Sequence, residues 1–137
     1  MRKFLLAVIL TLWPAFAWAQ WIGPPNAVMC NRIAGFNGVA VATQLVAPTP
    51  GKTVYVCGFI ATNSSNATTY NFSLNFGTQT TTPCDTGTVN IVSSLFVNAN
   101  AVIDHQTYAY SSGALGAGLC VTPSNVALSG HVWYSLY

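Results

Sequence analysis

The amino-acid sequence predicts an all-β protein, a single antiparallel β-sandwich or jelly-roll-like domain after an N-terminal signal peptide. Its apolar residues fall in short runs with a repeat of two, and no helical periodicity follows residue 19. Glycine, proline and asparagine, which favour turns, separate these runs. Serine, threonine and asparagine make up 35 of the 118 residues after position 19, and all three disfavour helix interiors.

The first element is a predicted signal peptide over residues 1–19. Arg2 and Lys3 give a basic start, an apolar run follows, and Ala17-Trp18-Ala19 supplies the small–x–small pattern of a cleavage site. The apolar run is shorter than the roughly 20 residues of a membrane span. We therefore expect residues 20–137 to form one exported domain with no membrane span after cleavage.

The candidate strands alternate with turn-rich connections along the rest of the chain. In chain order they are residues 39–46, 52–62, 70–76, 89–97, 119–122 and 126–137. Residues 78–88 (TQTTTPCDTGT) form a predicted polar loop that Cys84 pins, and residues 111–118 form a second, flexible loop. An Ig domain is less favoured, because its Cys…Trp…Cys spacing is missing.

Three of these runs predict which side chains share a face. Residues 70–76 place Tyr70, Phe72, Leu74 and Phe76 together. Residues 89–97 place Val89, Ile91, Ser93, Leu95 and Val97 together. The last run places Val126, Leu128, Gly130, Val132, Tyr134 and Leu136 together. This repeat is typical of antiparallel strands with one face on a core.

Four cysteines, Cys30, Cys57, Cys84 and Cys120, follow the signal peptide. Export and an even number predict two disulfides, and four cysteines allow three pairings that the sequence leaves open. No CxxC motif is present, so a zinc ribbon or a thiol redox site is not expected. We expect each bridge to stabilise the fold by roughly 2–4 kcal/mol.

Charge is scarce, since aspartate, glutamate, lysine and arginine make up 4% of the chain. Without the signal peptide the charged residues are Arg32, Lys52, Asp85 and Asp104, with a net charge of zero. This balance excludes a basic nucleic-acid-binding face, a polybasic membrane anchor and an acidic tail.

The same scarcity argues against enzymatic chemistry. Asp104 and His105 are adjacent, so on a strand they point to opposite faces and cannot form a relay. No GxSxG motif supports a hydrolase, and residues 20–137 contain no glutamate for a glycosidase pair. We predict no catalytic residues, no metal site at His105 or His131, and no cofactor.

The opposite face of the last strand holds Ser129, His131, Trp133, Ser135 and Tyr137. Such a stripe can stack on sugars or pack against another subunit, with Tyr108 as a further candidate. Alternatively, Trp133 simply covers the outside of the sandwich. Asn63, Asn66 and Asn71 each begin an N-x-S/T sequon, which leaves glycosylation open in a eukaryotic host.

Three segments carry a resemblance to a known group of proteins. They are residues 51–58 (GKTVYVCG), residues 77–87 around Cys84, and residues 119–120 followed by 128–130 and the final tyrosine. Their order resembles small four-cysteine β proteins of bacteriophage and environmental viral genomes over residues 30–137. The resemblance implies a virion-associated or surface β module without catalytic residues. A cleavable signal peptide is not expected in a protein that is assembled into a phage particle in the cytoplasm. Its presence favours a secreted or cell-surface product.

These observations predict a non-enzymatic, disulfide-stabilised structural or surface-interaction protein. Its location is the periplasm, the extracellular surface or a virion. A neutral surface favours packing into a homo-oligomer or larger assembly, because little charge must be desolvated. The alternative function is a glycan-binding module that uses exposed aromatic side chains.

Overall fold

The computed structural model describes residues 29–111 and 114–137, leaving out the side chains of residues 107–111. The predicted signal peptide lies outside the described residues. The described chain forms eight strands and no helix. They are β1 (Arg32–Asn37), β2 (Thr43–Val46), β3 (Val54–Asn63), β4 (Tyr70–Thr78), β5 (Thr86–Val97), β6 (Val102–Ser111), β7 (Gly118–Pro123) and β8 (Leu128–Leu136).

The strands form two four-stranded sheets that pack face to face. Sheet A has the order β1-β8-β3-β6, and sheet B has the order β2-β7-β4-β5. All neighbouring strands are antiparallel. The predicted β-sandwich is therefore confirmed.

The core lies between the sheets and consists of apolar side chains from both. Phe59 of β3 meets Phe72 of β4 edge to face, with ring centroids 5.5 Å apart. Burial of such a side chain contributes about 1.5–3 kcal/mol. The largest fully buried apolar residues are Phe59, Phe72, Phe76, Leu74, Leu119, Leu128, Val54, Val56, Val97, Val121 and Val132.

Two of the predicted strand faces agree with the structure. On β4, Phe72, Leu74 and Phe76 are buried, and the intervening polar residues lie on the outer side. On β8, Leu128 and Val132 are buried, and Tyr134 and Leu136 pack against the core. Val126, which was predicted on the same face, lies before β8 and is 60% exposed.

The single face predicted for residues 89–97 is wrong. Phe72 of β4 pairs with Leu95, but Leu74 pairs with Val92, so one residue of β4 opposes two residues of β5. Ser94 adopts a positive φ of 50° in this bulge, and its N–H donates to Ser73 Oγ at 3.0 Å. The bulge shifts the phase of the alternation, so Val92 rather than Ser93 faces the core side.

The structure resolves the disulfide pairing that the sequence leaves open. Cys30 bonds to Cys57, and Cys84 bonds to Cys120. The second bridge ties the β4–β5 connection to β7, so the predicted anchoring by Cys84 is confirmed. The loop covers residues 79–85 and is shorter than predicted, because Thr78 belongs to β4 and residues 86–88 to β5. Two disulfides in a small all-β fold fit a disulfide-stabilised extracellular protein. Among the described residues there is no helix long and apolar enough to cross a membrane.

Candidate functional site

The outer face of sheet A carries the aromatic residues that the sequence singled out. Trp133 on β8 pairs with Ile33 on β1 at one side and with Gly58 on β3 at the other. His131 pairs with Ile60 of β3 in the adjacent row. These positions alternate with the buried side chains of β8, so they point away from the core. We call His131, Trp133, Tyr137 and Tyr55 the aromatic face.

Contacts between rings orient the side chains of the aromatic face. His131 meets Trp133 edge to face, with centroids 5.1 Å apart. Tyr55 meets Tyr137 in the same way at 5.7 Å. The Tyr137 hydroxyl donates to the carbonyl oxygen of Met29 at 3.5 Å, close to the limit for a hydrogen bond. The aromatic face is therefore made of two ring pairs.

Ser135 and Tyr108, two further candidates from the sequence, are not part of the aromatic face. Ser135 lies on the outer side of β8, where it pairs with Tyr55 of β3, but it is only 1% exposed. Its prediction as an exposed residue is wrong. Tyr108 lies in β6, and its side chain lies outside the described residues.

A cleft of about 400 Å³ lies beside Trp133. The Cys30–Cys57 disulfide, Gln106 and Trp133 line it. Gly58 separates Trp133 from Gln106 in the same cross-strand row, and its missing side chain leaves space between them. A Cβ at Gly58 would lie 2.6 Å from the carbonyl oxygen of His105, so the close approach of β6 requires glycine there.

The sequence did not identify Gln106 or the disulfide as part of this cleft. Each belongs to a different segment, and they meet because β3 pairs with both β6 and β8. The register of β3 with β6 and β8 cannot be predicted from any local sequence pattern.

The cleft combines an apolar aromatic ring with a polar amide. The indole ring of Trp133 can stack on an apolar ligand face, and its N–H group is a hydrogen-bond donor. Gln106 carries both a donor and an acceptor, and its Nε2 donates to Asp104 Oδ2 at 3.4 Å. This combination suits a neutral ligand with both apolar and hydroxyl-bearing faces.

The aspartate and histidine candidates do not line this cleft. His105 stacks on Phe59 with centroids 5.3 Å apart, on the core side of β6, whereas Asp104 lies on the outer side. Asp104 and His105 thus lie on opposite faces of β6, as predicted for adjacent residues of a strand. No group of three potential metal ligands occurs in the described segments.

Asp85 is the centre of a hydrogen-bonded loop on sheet B. Its carboxylate accepts from the backbone N–H groups of Thr80, Thr81 and Thr82 at 2.8–2.9 Å. The hydroxyls of Thr80 and Thr81 also donate to it. Donation from the N–H groups of Thr82, Thr81 and Thr80 holds the pKa of Asp85 well below its usual range. Asp85 is thus an ionised anchor of the loop.

The three sequons differ in accessibility. Asn63 is 1% exposed, and its Nδ2 donates to the carbonyl oxygens of Thr68 at 2.8 Å and Val97 at 2.9 Å. The nitrogen that a glycan would modify is therefore engaged inside the fold. Asn66 is exposed, and Asn71 is partly buried.

No protein-family model matches this chain, and no curated protein matches its sequence. The surface and the cleft are the features of the chain that bear on its function.

Proposed function

We propose that the protein is an exported, non-enzymatic structural or surface-interaction protein that self-assembles on a virion or a cell surface. The carrying observation is a neutral surface with exposed large apolar side chains. Ile33, Phe96 and Val102 are each more than half exposed, while residues 20–137 have no net charge. Exposed apolar surface gains free energy on burial, and a neutral chain does not repel its copies.

The two disulfides support a location outside the cytoplasm. Both bridges form in the described fold, and no cysteine of the described residues is free. Two cross-links stabilise a domain that has few charges for ion pairs.

Light scattering coupled to size-exclusion chromatography tests self-assembly. The oxidised chain without its first 19 residues is measured from low to high micromolar concentration. We expect the mean mass to rise with concentration above that of one copy. A mass that stays at one copy over the whole range would contradict self-assembly.

A second candidate function, glycan binding, is favoured by the cleft beside Trp133. Its stacking ring and the Gln106 amide match the apolar and hydroxyl faces of a sugar. A glycan array should show binding that Trp133→Ala and Gln106→Ala each abolish. Leu115→Ala, which alters an exposed loop residue away from the cleft lining, is the control. Absence of any bound glycan, or binding unchanged in Trp133→Ala, would remove this function.

A further inference from the structure

The two disulfides differ in their access to solvent. Cys30 and Cys57 are each partly exposed, and their bridge lines the cleft beside Trp133. Cys84 and Cys120, in contrast, are only 3% and 0% exposed. The same domain therefore carries one accessible disulfide and one buried disulfide.

The accessible disulfide joins two irregular places in sheet A. Cys30 precedes β1, whose pairing with β8 begins at Arg32. Cys57 lies at a bulge of β3, because the register against both β6 and β8 shifts between Val56 and Gly58. Bulges redirect side chains at the surface of a sheet. Neither cysteine belongs to the ladder that joins β1 to β8, so opening the bridge leaves that ladder in place.

The buried disulfide, by contrast, is packed onto regular strands. Cys120 lies in β7 and pairs with Gln44 of β2 and Asn75 of β4. Cys84 Sγ lies 3.7 Å from the carbonyl oxygen of Gly77 and 3.8 Å from that of Asn75. A Cβ at Gly77 would lie 3.0 Å from Cys84, so the loop packs directly on β4. A molecule from solvent reaches this bridge only after local opening of the fold.

The cleft has room for a small molecule beside the accessible bridge. Its volume of about 400 Å³ lies within the range of small-ligand pockets. The other lining residues that the structure describes, Gln106 and Trp133, are uncharged, which suits a neutral molecule. A thiolate breaks a disulfide only if it reaches one of the sulfurs, and exposed bridges are the labile ones.

We infer that the Cys30–Cys57 disulfide is a thiol-exchange site of the folded protein, at which small-molecule thiols couple covalently to the chain. The Cys84–Cys120 disulfide stays intact under the same conditions. The site is a target of thiols rather than a redox catalyst, in keeping with the absence of a CxxC motif from the sequence. This inference goes beyond the proposed assembly and glycan binding and depends on neither.

Exchange takes place in two steps. A small-molecule thiolate attacks one sulfur of the bridge, a new S–S bond forms, and the bond between Cys30 and Cys57 breaks. The departing cysteine sulfur leaves as a thiolate and takes a proton from water. A second thiolate then attacks the small-molecule sulfur of the mixed disulfide, which reduces both cysteines and releases the oxidised small molecule as its disulfide. Because the bridge forms part of the cleft wall, each product changes the surface beside Trp133.

Timed exposure to 2-mercaptoethanol, a neutral monothiol, tests the inference on the oxidised chain without its first 19 residues. Acid stops the reaction, and peptide mass mapping gives the extent of exchange at each bridge. We expect the Cys30–Cys57 bridge to react at least about tenfold faster than Cys84–Cys120, because the buried bridge must wait for local opening. Equal rates at the two bridges, or faster loss of Cys84–Cys120, would overturn the inference.

The same reaction in concentrated guanidinium is the control for the contribution of the fold. The two bridges close loops of 27 and 36 residues, whose closure probabilities differ by only about 1.5-fold. We therefore expect nearly equal rates in the unfolded chain. A tenfold difference that persists there would show that the fold does not cause the selectivity. In the native reaction, loss of the β-sheet circular dichroism in step with Cys30–Cys57 would also overturn the inference, since exchange would then require unfolding.

A substitution in the cleft lining tests the route by which thiols arrive. Gln106→Trp places a larger side chain in the cleft and should slow exchange at Cys30–Cys57 several-fold without changing the rate at Cys84–Cys120. Leu115→Trp, at an exposed loop position outside the described cleft lining, is the matched control and should leave both rates unchanged. If Gln106→Trp reacted as fast as Leu115→Trp, the cleft would not be the site of exchange.

Discussion

Asn63 Nδ2 donates a hydrogen bond of 2.9 Å to the carbonyl oxygen of Val97, and this bond links sheet A to sheet B inside the core. Asn63 lies at the end of β3, and Val97 lies at the end of β5. The same nitrogen reaches Thr68 O, and Asn63 Oδ1 accepts from the N–H group of Ser65 at 2.9 Å. One buried amide therefore satisfies three backbone groups around the β3–β4 connection.

Asn63→Leu should destabilise the fold by about 1–3 kcal/mol, since it leaves buried backbone groups without partners. Asn63→Asp should also destabilise it, because a carboxylate cannot donate to Val97 O. Urea unfolding measures both effects, and exposed Asn66→Leu is the matched control in the same connection. If Asn63→Leu were as stable as Asn66→Leu, the buried amide of Asn63 would be dispensable.

Protonation of Asp85 at acid pH should lower the stability of the fold. Its lowered pKa means that folding favours the ionised carboxylate. This contribution is present in full above the ordinary aspartate pKa of about 3.9 and is lost as the pH falls towards the lowered folded-state pKa. Asp85→Asn should lower the melting temperature at pH 7 and flatten its fall below about pH 4.

Asp104→Asn is the control for that acid dependence, because it removes the other aspartate of the described residues. The melting temperature of Asp104→Asn should fall below pH 4 as steeply as that of the natural chain. If Asp85→Asn and the natural chain follow parallel curves, the threonine loop does not couple Asp85 ionisation to folding.

Removing either disulfide should cost about 3–4 kcal/mol by the loop-entropy relation, because the bridges span 27 and 36 residues. The two double variants, Cys30→Ala with Cys57→Ala and Cys84→Ala with Cys120→Ala, are compared by guanidinium unfolding. The larger loop predicts a slightly larger loss for Cys84 and Cys120. A loss below about 1 kcal/mol for either pair would contradict cross-link stabilisation.

Gly130→Ala should be among the most damaging single substitutions. A Cβ there would collide with the carbonyl oxygen of Ile60 and approach Phe36 Cζ to 2.9 Å. Since a backbone oxygen cannot move away without breaking the sheet, we expect a loss of about 3 kcal/mol or more. Gly35→Ala is the matched control on the neighbouring strand, where the nearest atom would lie at 3.6 Å. Similar melting temperatures for the two variants would disprove this steric account.

The regular strands could be predicted from local sequence, whereas the edge strand β1 could not. Residues 70–76 alternate without interruption, so their pattern alone predicts the buried face of β4. In β1, by contrast, Ala34 and Phe36 face the core while Ile33 faces outward and is exposed. An edge strand with apolar residues on both sides has no repeat of two to detect.

In the candidate site, too, one part could be predicted from local sequence and another could not. The common face of His131, Trp133 and Tyr137 follows from alternation along one strand and was predicted. The cleft depends on Gly58 and Gln106 in strands that neighbour one another through long-range pairing, so it could not be predicted.

Local residue pattern was sufficient for an all-β fold, a polar loop around Cys84 and an aromatic stripe on β8, because side chains alternate along any strand regardless of its neighbours. Pairing between distant segments determined the rest: Cys30 with Cys57, Cys84 with Cys120, Asn63 with Val97, and the order of strands in each sheet. The three residue pairs are 27, 36 and 34 positions apart in the sequence. Many such pairings satisfy the same alternation, and the packing of both sheets around one core selects among them.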